Sequence, residues 1–394
     1  ILAVDLPSGW AADATDAAVS GPVFPANAAI TFTAPKPAHV FGALTRRWDQ
    51  PVVVAPIGSP EEAMASSLNL TWAGGAADLT RAPRAAAANK GNYGHVLVVG
   101  GTFGWAGGKA GAPAMTALAA LRSGAGLVTA AVPAPALPVV ATIAPELMTW
   151  PLEAGAQGQI AGKNLAGGKL EALMAGKTVM AIGPGIGQTA ETAQFVTGLV
   201  TSAEIPDKIA VVIDADALNI LAAEPALLAK LSRDGARTVV LTPHPGEMAR
   251  LAGVTTAEVQ ADRLKTARGF AQRNGVTLVL KGARTLIAHP DGGVAVNTTG
   301  NPGMAKGGSG DLLTGLVAGL VAQFPQDAAQ AVEAAVYLHG LAADLAVRAG
   351  DEHTLLATDS LLHLSRAFRF YSRSTNGYVW IQGLPAGALT AAPR

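Results

Sequence analysis

The chain has 394 residues, half of them hydrophobic and 14% charged, enough to build a large buried core in two domains or in one domain with appendages. Lys plus Arg and Asp plus Glu number 28 each, so there is no electrostatic footprint for nucleic acid or an anionic membrane, and a small-molecule partner is expected. No cysteine occurs, which excludes disulfides, thiolate nucleophiles and cysteine-held zinc and fits cytoplasmic chemistry.

Ile1 to Val4, Ala29 to Thr33 and Val52 to Ala55 read as short strands between Pro and Gly turns, like the last strands of an α/β sheet. Three strands with little helix cannot cover both faces of such a sheet alone. Ile1 falls inside the first run, no signal peptide is visible, and the chain reads as starting partway through a domain. Glu61 to Leu70 is helix or linker, and Thr71 to Ala88, rich in Ala, Gly and Pro, reads as a connector.

From Lys90 onward strands and helices alternate. Strands are expected at Val96 to Val99, Leu127 to Val132, Val179 to Ile182, Ala210 to Ile213, Thr238 to Leu241, Thr277 to Lys281, Thr285 to Ala288 and Val294 to Asn297. Helices are expected at Ala112 to Ser123, Ala190 to Thr201, Leu218 to Leu231, Thr256 to Asn274, Leu312 to Phe324, Ala329 to Arg348 and Ala357 to Phe368. This alternation predicts a mostly parallel sheet with helices on both faces. The apolar run Leu312 to Phe324 is too short to span a membrane and reads as a core helix. Tyr371 to Arg394 shows no clear period and reads as a loosely held tail.

Ligands of such sheets bind beyond the carboxyl ends of the strands, and there the informative residues cluster. Asn301-Pro302-Gly303-Met304-Ala305-Lys306-Gly307-Gly308-Ser309-Gly310-Asp311 runs straight into the core helix. Glycines let backbone N–H groups of Gly307, Gly308, Ser309 and Gly310 approach phosphate oxygens, and the helix start adds partial positive charge. Asp311 is either a helix N-cap or a base placed to take a proton from an attacking hydroxyl.

Gly183 to Gly187 follows a strand and is either a ligand loop or a plain turn. The glycines from Gly100 to Gly111 keep no regular dinucleotide-fingerprint order. Asp214 and Asp216 could hold Mg²⁺ through water or cap the next helix. His244, fixed between Pro243 and Pro245, reads as a ligand-contacting group, and Lys281 with Arg284 offers cations to a phosphate.

In this order, Lys90-Gly91-Asn92-Tyr93-Gly94, Gly183 to Gly187, Asp214 to Leu218, Thr242 to Glu247 and Asn301 to Asp311 resemble the ADP- or ATP-dependent NAD(P)H-hydrate dehydratases of the ribokinase-like superfamily. Val4-Asp5-Leu6-Pro7-Ser8-Gly9 and Thr33-Ala34-Pro35-Lys36-Pro37 resemble the closing part of the NAD(P)H-hydrate epimerase domain fused ahead of the dehydratase in bifunctional repair enzymes. The resemblance implies a ribokinase-like three-layer α/β fold with a mostly parallel sheet over residues 67–370. It makes residues 1–66 a truncated epimerase-like fragment and leaves 371–394 as a tail without a recognised fold.

By the same resemblance, Ala112, Gly185, His244 and Asp311 contact the hydrated nicotinamide nucleotide, and Lys281, Gly282, Ala283, Arg284, Thr285 and Gly310 hold the adenine nucleotide. Asp5 would contact the hydrate and Ser8 would help bind K⁺ in a complete epimerase domain; no epimerase activity is expected of this chain. The loop from Gly101 to Ala112 is longer than usual for the family, and Asn89 stands where a His commonly precedes the Lys-Gly pair.

The implied reaction is dehydration of the S-epimer of NADH hydrate or NADPH hydrate, with Mg²⁺ and ADP or ATP, in a cytoplasmic homo-oligomer. Asp311 deprotonates the hydroxyl, the loop amides steady the transferring phosphoryl group, and phosphate then leaves. A small-alcohol kinase of the same superfamily and a non-catalytic nucleotide-binding remnant are the alternatives.

Overall fold

The computed structural model describes residues 1–15, 21–64, 67–105, 107–232, 235 and 237–385. Its strands are β1 (Leu2–Val4), β2 (Ala28–Phe32), β3 (Val52–Ala55), β4 (Leu70–Trp72), β5 (His95–Val99), β6 (Phe103–Gly104), β7 (Gly107–Gly108) and β8 (Leu127–Pro133). They continue as β9 (Met148–Leu152), β10 (Val179–Ile182), β11 (Ala210–Ile213), β12 (Val239–Leu241), β13 (Thr277–Leu280), β14 (Leu286–Ala288), β15 (Val294–Val296) and β16 (Val379–Gln382). The helices are α1 (Pro37–Phe41), α2 (Gly111–Arg122), α3 (Leu137–Ala141), α4 (Lys169–Met174), α5 (Ala190–Thr201), α6 (Asp216–Ala223) and α7 (Leu228–Leu231). After them come α8 (Pro245–Ala252), α9 (Thr256–Ala261), α10 (Arg263–Asn274), α11 (Ser309–Gln323), α12 (Ala328–Ala349) and α13 (Ala357–Arg369).

The continuous apolar runs become strands buried on both faces, as a parallel sheet requires, and with the more exposed edge strands β4 and β9 they form a ten-stranded sheet in the order β4-β15-β14-β13-β12-β11-β10-β5-β8-β9. Every pairing is parallel except β13 with β14 and β14 with β15. One apolar core lies under α5, α6, α8 and α10; the other lies under α2, α11, α12 and α13. The mostly parallel sheet with a helical layer on each face is therefore as expected.

Helix α11 is buried from Leu312 through Ala322, and Gly315 and Gly319 let it press on α2. A Cβ on Gly315 would lie 2.1 Å from the Thr116 carbonyl oxygen, nearer than any side-chain carbon can sit. Small residues rather than interlocking large ones set this contact. The chain order reverses between β5 and β10, so the crevice at their carboxyl ends is the sheet's topological switch point.

Several elements differ from the sequence expectation. The connector 71–88 contains β4 and the 3-10 turns Ala73–Thr80, which extend the main sheet and pack on α12. Strand β9 and helices α3, α4 and α8 lay unrecognised in Gly- and Pro-bearing sequence. The helix expected over Thr256 to Asn274 breaks at Asp262, whose side chain caps α10 by accepting from the Lys265 N–H at 2.9 Å.

The tail is not loose where it is described. Its strand β16 pairs antiparallel with β3, completing a second sheet, β1-β2-β3-β16, around the N-terminal fragment. Residues 386–394 lie outside the described residues. Among those described, no helix is long and apolar enough to cross a membrane.

Candidate active site

The loop Asn301 to Gly308 delivers the chain into α11 with Gly308 as N-cap at φ +97°, a conformation open to glycine and costly for other residues. No side chain caps this helix, so the capping reading of Asp311 fails: the residue sits inside the first turn. Among the described residues the N–H groups of Gly310 and Asp311 find no acceptor, as an anion site at a helix start requires, whereas the Ser309 N–H, expected to face phosphate, donates to the Lys306 carbonyl at 3.4 Å. The loop's own entry is pinned from α12, where Asp344 accepts from the Gly300 N–H at 3.0 Å and from Asn301 Nδ2 at 2.9 Å. Ser309 turns its hydroxyl inward to the Met304 carbonyl at 2.8 Å.

The carboxylate of Asp311 accepts no hydrogen bond from the described residues. Burial, reinforced by the charge of Asp214, pushes its pKa up to about 6 against the pull of Lys281 and Lys109. Carboxyl groups shifted toward neutrality beside an oxyanion cradle are suited to general-base work.

Asp214, just after β11, is buried and held by three donors. It accepts from Lys281 Nζ at 2.9 Å, Thr242 Oγ1 at 2.8 Å and Thr314 Oγ1 at 2.8 Å. A Cβ on Gly310 would lie 3.5 Å from Lys281 Nζ, so this cation adjoins the free amides. Burial works against the charge on Lys281, but Asp214 and Glu247 outweigh it and hold the ammonium above its ordinary pKa. Sequence reading offered Asp214 as a water-mediated metal ligand; the structure instead engages it with a lysine and two hydroxyls.

His244 is the N-cap of α8, a helix the sequence reading missed. Its Nδ1 accepts from the N–H groups of Gly246 at 3.0 Å and Glu247 at 3.3 Å, and the His244 N–H donates to the Glu247 carboxylate at 2.8 Å. Burial, then Lys281 and Arg250, lowers the His244 pKa, keeping the ring neutral with Nε2 as its donor side. Glu247 was not singled out from sequence. It is buried, its pKa is raised chiefly by that burial, and it stands 3.9 Å from Lys281 Nζ. The signal was present in the spacing of Thr242 to Glu247, where an acid three residues after a cap completes a capping box.

On the other side of the switch point, a Cβ on Gly185 would meet Ala112 Cβ at 3.2 Å and Lys109 Cβ at 2.8 Å, so Gly185 and Ala112 lie on one surface. Asp216 ties this wall together: its carboxylate accepts from the Gly187 N–H at 3.0 Å, Gln188 Nε2 at 2.7 Å and Lys109 Nζ at 3.2 Å. Burial opposes its charge, yet these donors hold the Asp216 pKa below the usual range.

The remaining expected residues divide. Lys281 faces the helix start, Gly282 and Ala283 are exposed in the same loop, and Thr285 Oγ1 closes that loop on the Gly282 carbonyl at 2.9 Å. Arg284 turns away from it, donating to the Thr298 carbonyl at 3.2 Å and the Gly42 carbonyl at 3.0 Å. Asp5 and Ser8 belong to the N-terminal sheet. Asp5 accepts from Lys36 Nζ at 2.5 Å and Thr31 Oγ1 at 2.8 Å, and the Ser8 carbonyl accepts from the Phe24 N–H at 2.9 Å. A separate cavity of about 800 Å³ beside Arg84, Arg122 and Arg369 is lined in part by Asn92 and Tyr93 of the Lys90 to Gly94 motif and by none of the crevice residues.

The chain is similar to several known proteins. Residues 96–366 match the family model described as NAD(P)H-hydrate dehydratase. The chain is 42% identical over 377 residues to the bifunctional NAD(P)H-hydrate repair enzyme Nnr of Moorella thermoacetica, covering 93% of this chain and 66% of that protein. It is 36% identical over 274 residues to the ADP-dependent (S)-NAD(P)H-hydrate dehydratase of Bacillus subtilis, covering 70% of this chain and 88% of the relative. Among solved structures, the ADP/ATP-dependent NAD(P)H-hydrate dehydratase of B. subtilis co-crystallised with ATP and Mg²⁺ superposes with a TM-score of 0.59 at 32% identity, covering 74% of this chain and 96% of that one.

Proposed function

Because the chain belongs to the NAD(P)H-hydrate dehydratase family, we propose that its strand-end crevice restores NAD(P)H from the S-epimer of its hydrate, with ADP or ATP as phosphoryl donor. The observation that carries this reading is Asp311: a carboxylate that accepts no hydrogen bond among the described residues, shifted to about 6, beside two helix-start amides that find no acceptor among them and the Lys281 ammonium.

Hydroxide is a poor leaving group and phosphate a good one. Asp311 takes the proton of the ring hydroxyl as its oxygen attacks the terminal phosphorus, and the bond from that phosphorus to the bridging oxygen breaks, releasing AMP from ADP. The Gly310 and Asp311 amides with Lys281 steady the charge on the transferring group. The ring nitrogen then donates its electron pair, the carbon–oxygen bond to phosphate breaks, and loss of a proton from the neighbouring ring carbon restores the double bond. Ala112, Gly185 and His244 line the hydrate side, while Lys281 to Thr285 and Gly310 form the nucleotide side.

The residues present fit Mg²⁺ held mainly by nucleotide oxygens and water. Among the described residues no three His, Asp or Glu side chains form a metal cage, and Asp214 and Asp216 are occupied by protein donors. Glu247, whose carboxylate accepts from the His244 N–H at 2.8 Å, would be the acid to take a water of such an ion. When bound, Mg²⁺ supplies neutralisation of the phosphate oxygens. Asp5 and Ser8 have no part in this reaction.

The test is turnover with prepared hydrate and each nucleotide in turn. Dehydration predicts that reduced-nicotinamide absorbance, free phosphate and the shortened nucleotide appear together. A phosphorylated product that accumulates without regained absorbance would instead identify a kinase of a small alcohol.

A further inference from the structure

We infer that Arg284 is a positioning residue for the nucleotide loop, and that the N-terminal sheet closed by β16 holds it in place. This rests on the reading above that Lys281 to Thr285 binds the adenine nucleotide.

Arg284 has φ +55°, a left-handed conformation that a side-chain-bearing residue keeps only where its surroundings over-determine it. Here the surroundings are three segments far apart in sequence. Its guanidinium donates to the Gly42 carbonyl behind α1, to the Thr298 carbonyl behind β15 and to Gln382 Oε1 in β16. Burial away from water pulls its pKa down to about 10, so it stays charged at neutral pH with these oxygens in place of solvent.

The junction is built to keep those oxygens fixed. Gln382 Nε2 donates to Thr45 Oγ1 at 2.9 Å and to the Gln50 carbonyl at 3.0 Å, so its amide clamps β16 to the segment before β3. Thr298 Oγ1 donates to the Ile381 carbonyl and itself accepts from Trp72 Nε1 at 2.9 Å. From the opposite side Arg263 of α10 holds the same loop through the carbonyls of Ala283 at 2.5 Å and Leu280 at 3.2 Å. The backbone from Lys281 to Thr285 is thus shaped by two inward-facing arginines, and only one of them depends on the N-terminal sheet and the tail.

A partner lost at the junction leaves a buried cation short of acceptors and relaxes the loop toward ordinary φ values. Nucleotide affinity then falls. Linkage makes the effect reciprocal, so bound ADP tightens the docking of β16 and β3.

Gln382→Ala, which touches neither ligand, and Arg284→Lys, which keeps the charge but loses the forked donors, are compared with the full chain by calorimetric ADP titration and steady-state turnover. Both should raise the Kd and KM for ADP about fivefold or more, the lower range of measured site-to-site couplings, and kcat of Gln382→Ala should be unchanged. In the double variant Arg284→Lys/Gln382→Ala the two losses should not multiply. ADP should also slow hydrogen exchange of the Val379 to Gln382 amides in the parent chain and not in Arg284→Lys. A purely structural role would lower thermal stability without moving the Kd of the folded fraction. Folded variants that bind ADP as the parent does would overturn the inference while leaving the proposed function standing, whereas a parent chain that binds no ADP overturns both.

Discussion

The ammonium of Lys281 lies 2.9 Å from the carboxylate of Asp214 and adjoins Gly310, so a buried ion pair sits beside the amides that start α11. Its two members act on Asp311 with opposite sign: Asp214 raises the pKa of Asp311 and Lys281 lowers it. Asp214→Asn should therefore move the acid limb of the kcat/KM profile to lower pH, and Lys281→Met should move it to higher pH. Turnover should fall in both, by about 10²-fold or more for Lys281→Met, the cost of losing one oxyanion-stabilising donor. Profiles that shift in the same direction would show that the pair does not act on Asp311 electrostatically.

Asp311→Asn separates catalysis from stability. Turnover should drop by roughly 10²–10⁴-fold, the range for a lost general base, with ADP binding nearly intact. Stability should move the other way. The folded pKa of about 6 lies above the ordinary aspartate value of 3.8, so the folded chain binds the extra proton between those pH values and loses stability as pH rises through them. At pH 8 the asparagine variant, which has no charge to bury, should be more stable by about 1–3 kcal/mol, the equivalent of a shift of this size. At pH 4 most of that advantage should be gone. Denaturant unfolding at the two pH values measures it.

The alternation of apolar runs made the main sheet legible because strands buried on both faces carry an unbroken hydrophobic signal; Val179–Ile182 and Ala210–Ile213 form strands over the expected residues. The motifs at strand ends were legible for the same reason: a doubly wound sheet brings Gly185, His244, Lys281 and Asp311 to one edge. Strand β9, Met148–Leu152, carries a proline and lies at the sheet edge, so its pattern is weak. The role of Arg284 and the strand in the tail were not legible at all. Both depend on contacts between residues more than two hundred positions apart, such as Arg284 with Gly42, which no local period encodes.

Gly315→Ala tests the packing that carries the phosphate loop. The added methyl would meet the Thr116 carbonyl, a backbone atom that cannot turn aside, so α11 must shift from α2. Overpacking of this kind costs about 1–3 kcal/mol or more, seen as a lower denaturant midpoint with an unchanged slope. Since Asp311 lies one turn before Gly315, turnover should fall as well. An alanine variant as stable as the parent would mean that the two helices are not in this close contact.

His244 has two roles that one pair of substitutions can part. Its Nδ1 caps α8, and its Nε2 lies 3.4 Å from the Glu247 carboxylate, in the region where the proposed function places the hydrate. Asparagine at this position retains a side-chain acceptor suited to an N-cap, whereas alanine retains none. His244→Ala should lose about 1 kcal/mol of stability, the usual value of a cap, and His244→Asn much less. If Nε2 contacts the hydrate, both should raise KM for it by about tenfold, the effect of one hydrogen bond to a bound polar group, with KM for ADP little changed. Should His244→Asn bind hydrate as the parent does while His244→Ala is merely less stable, the histidine is a cap and the crevice recognises its substrate without it.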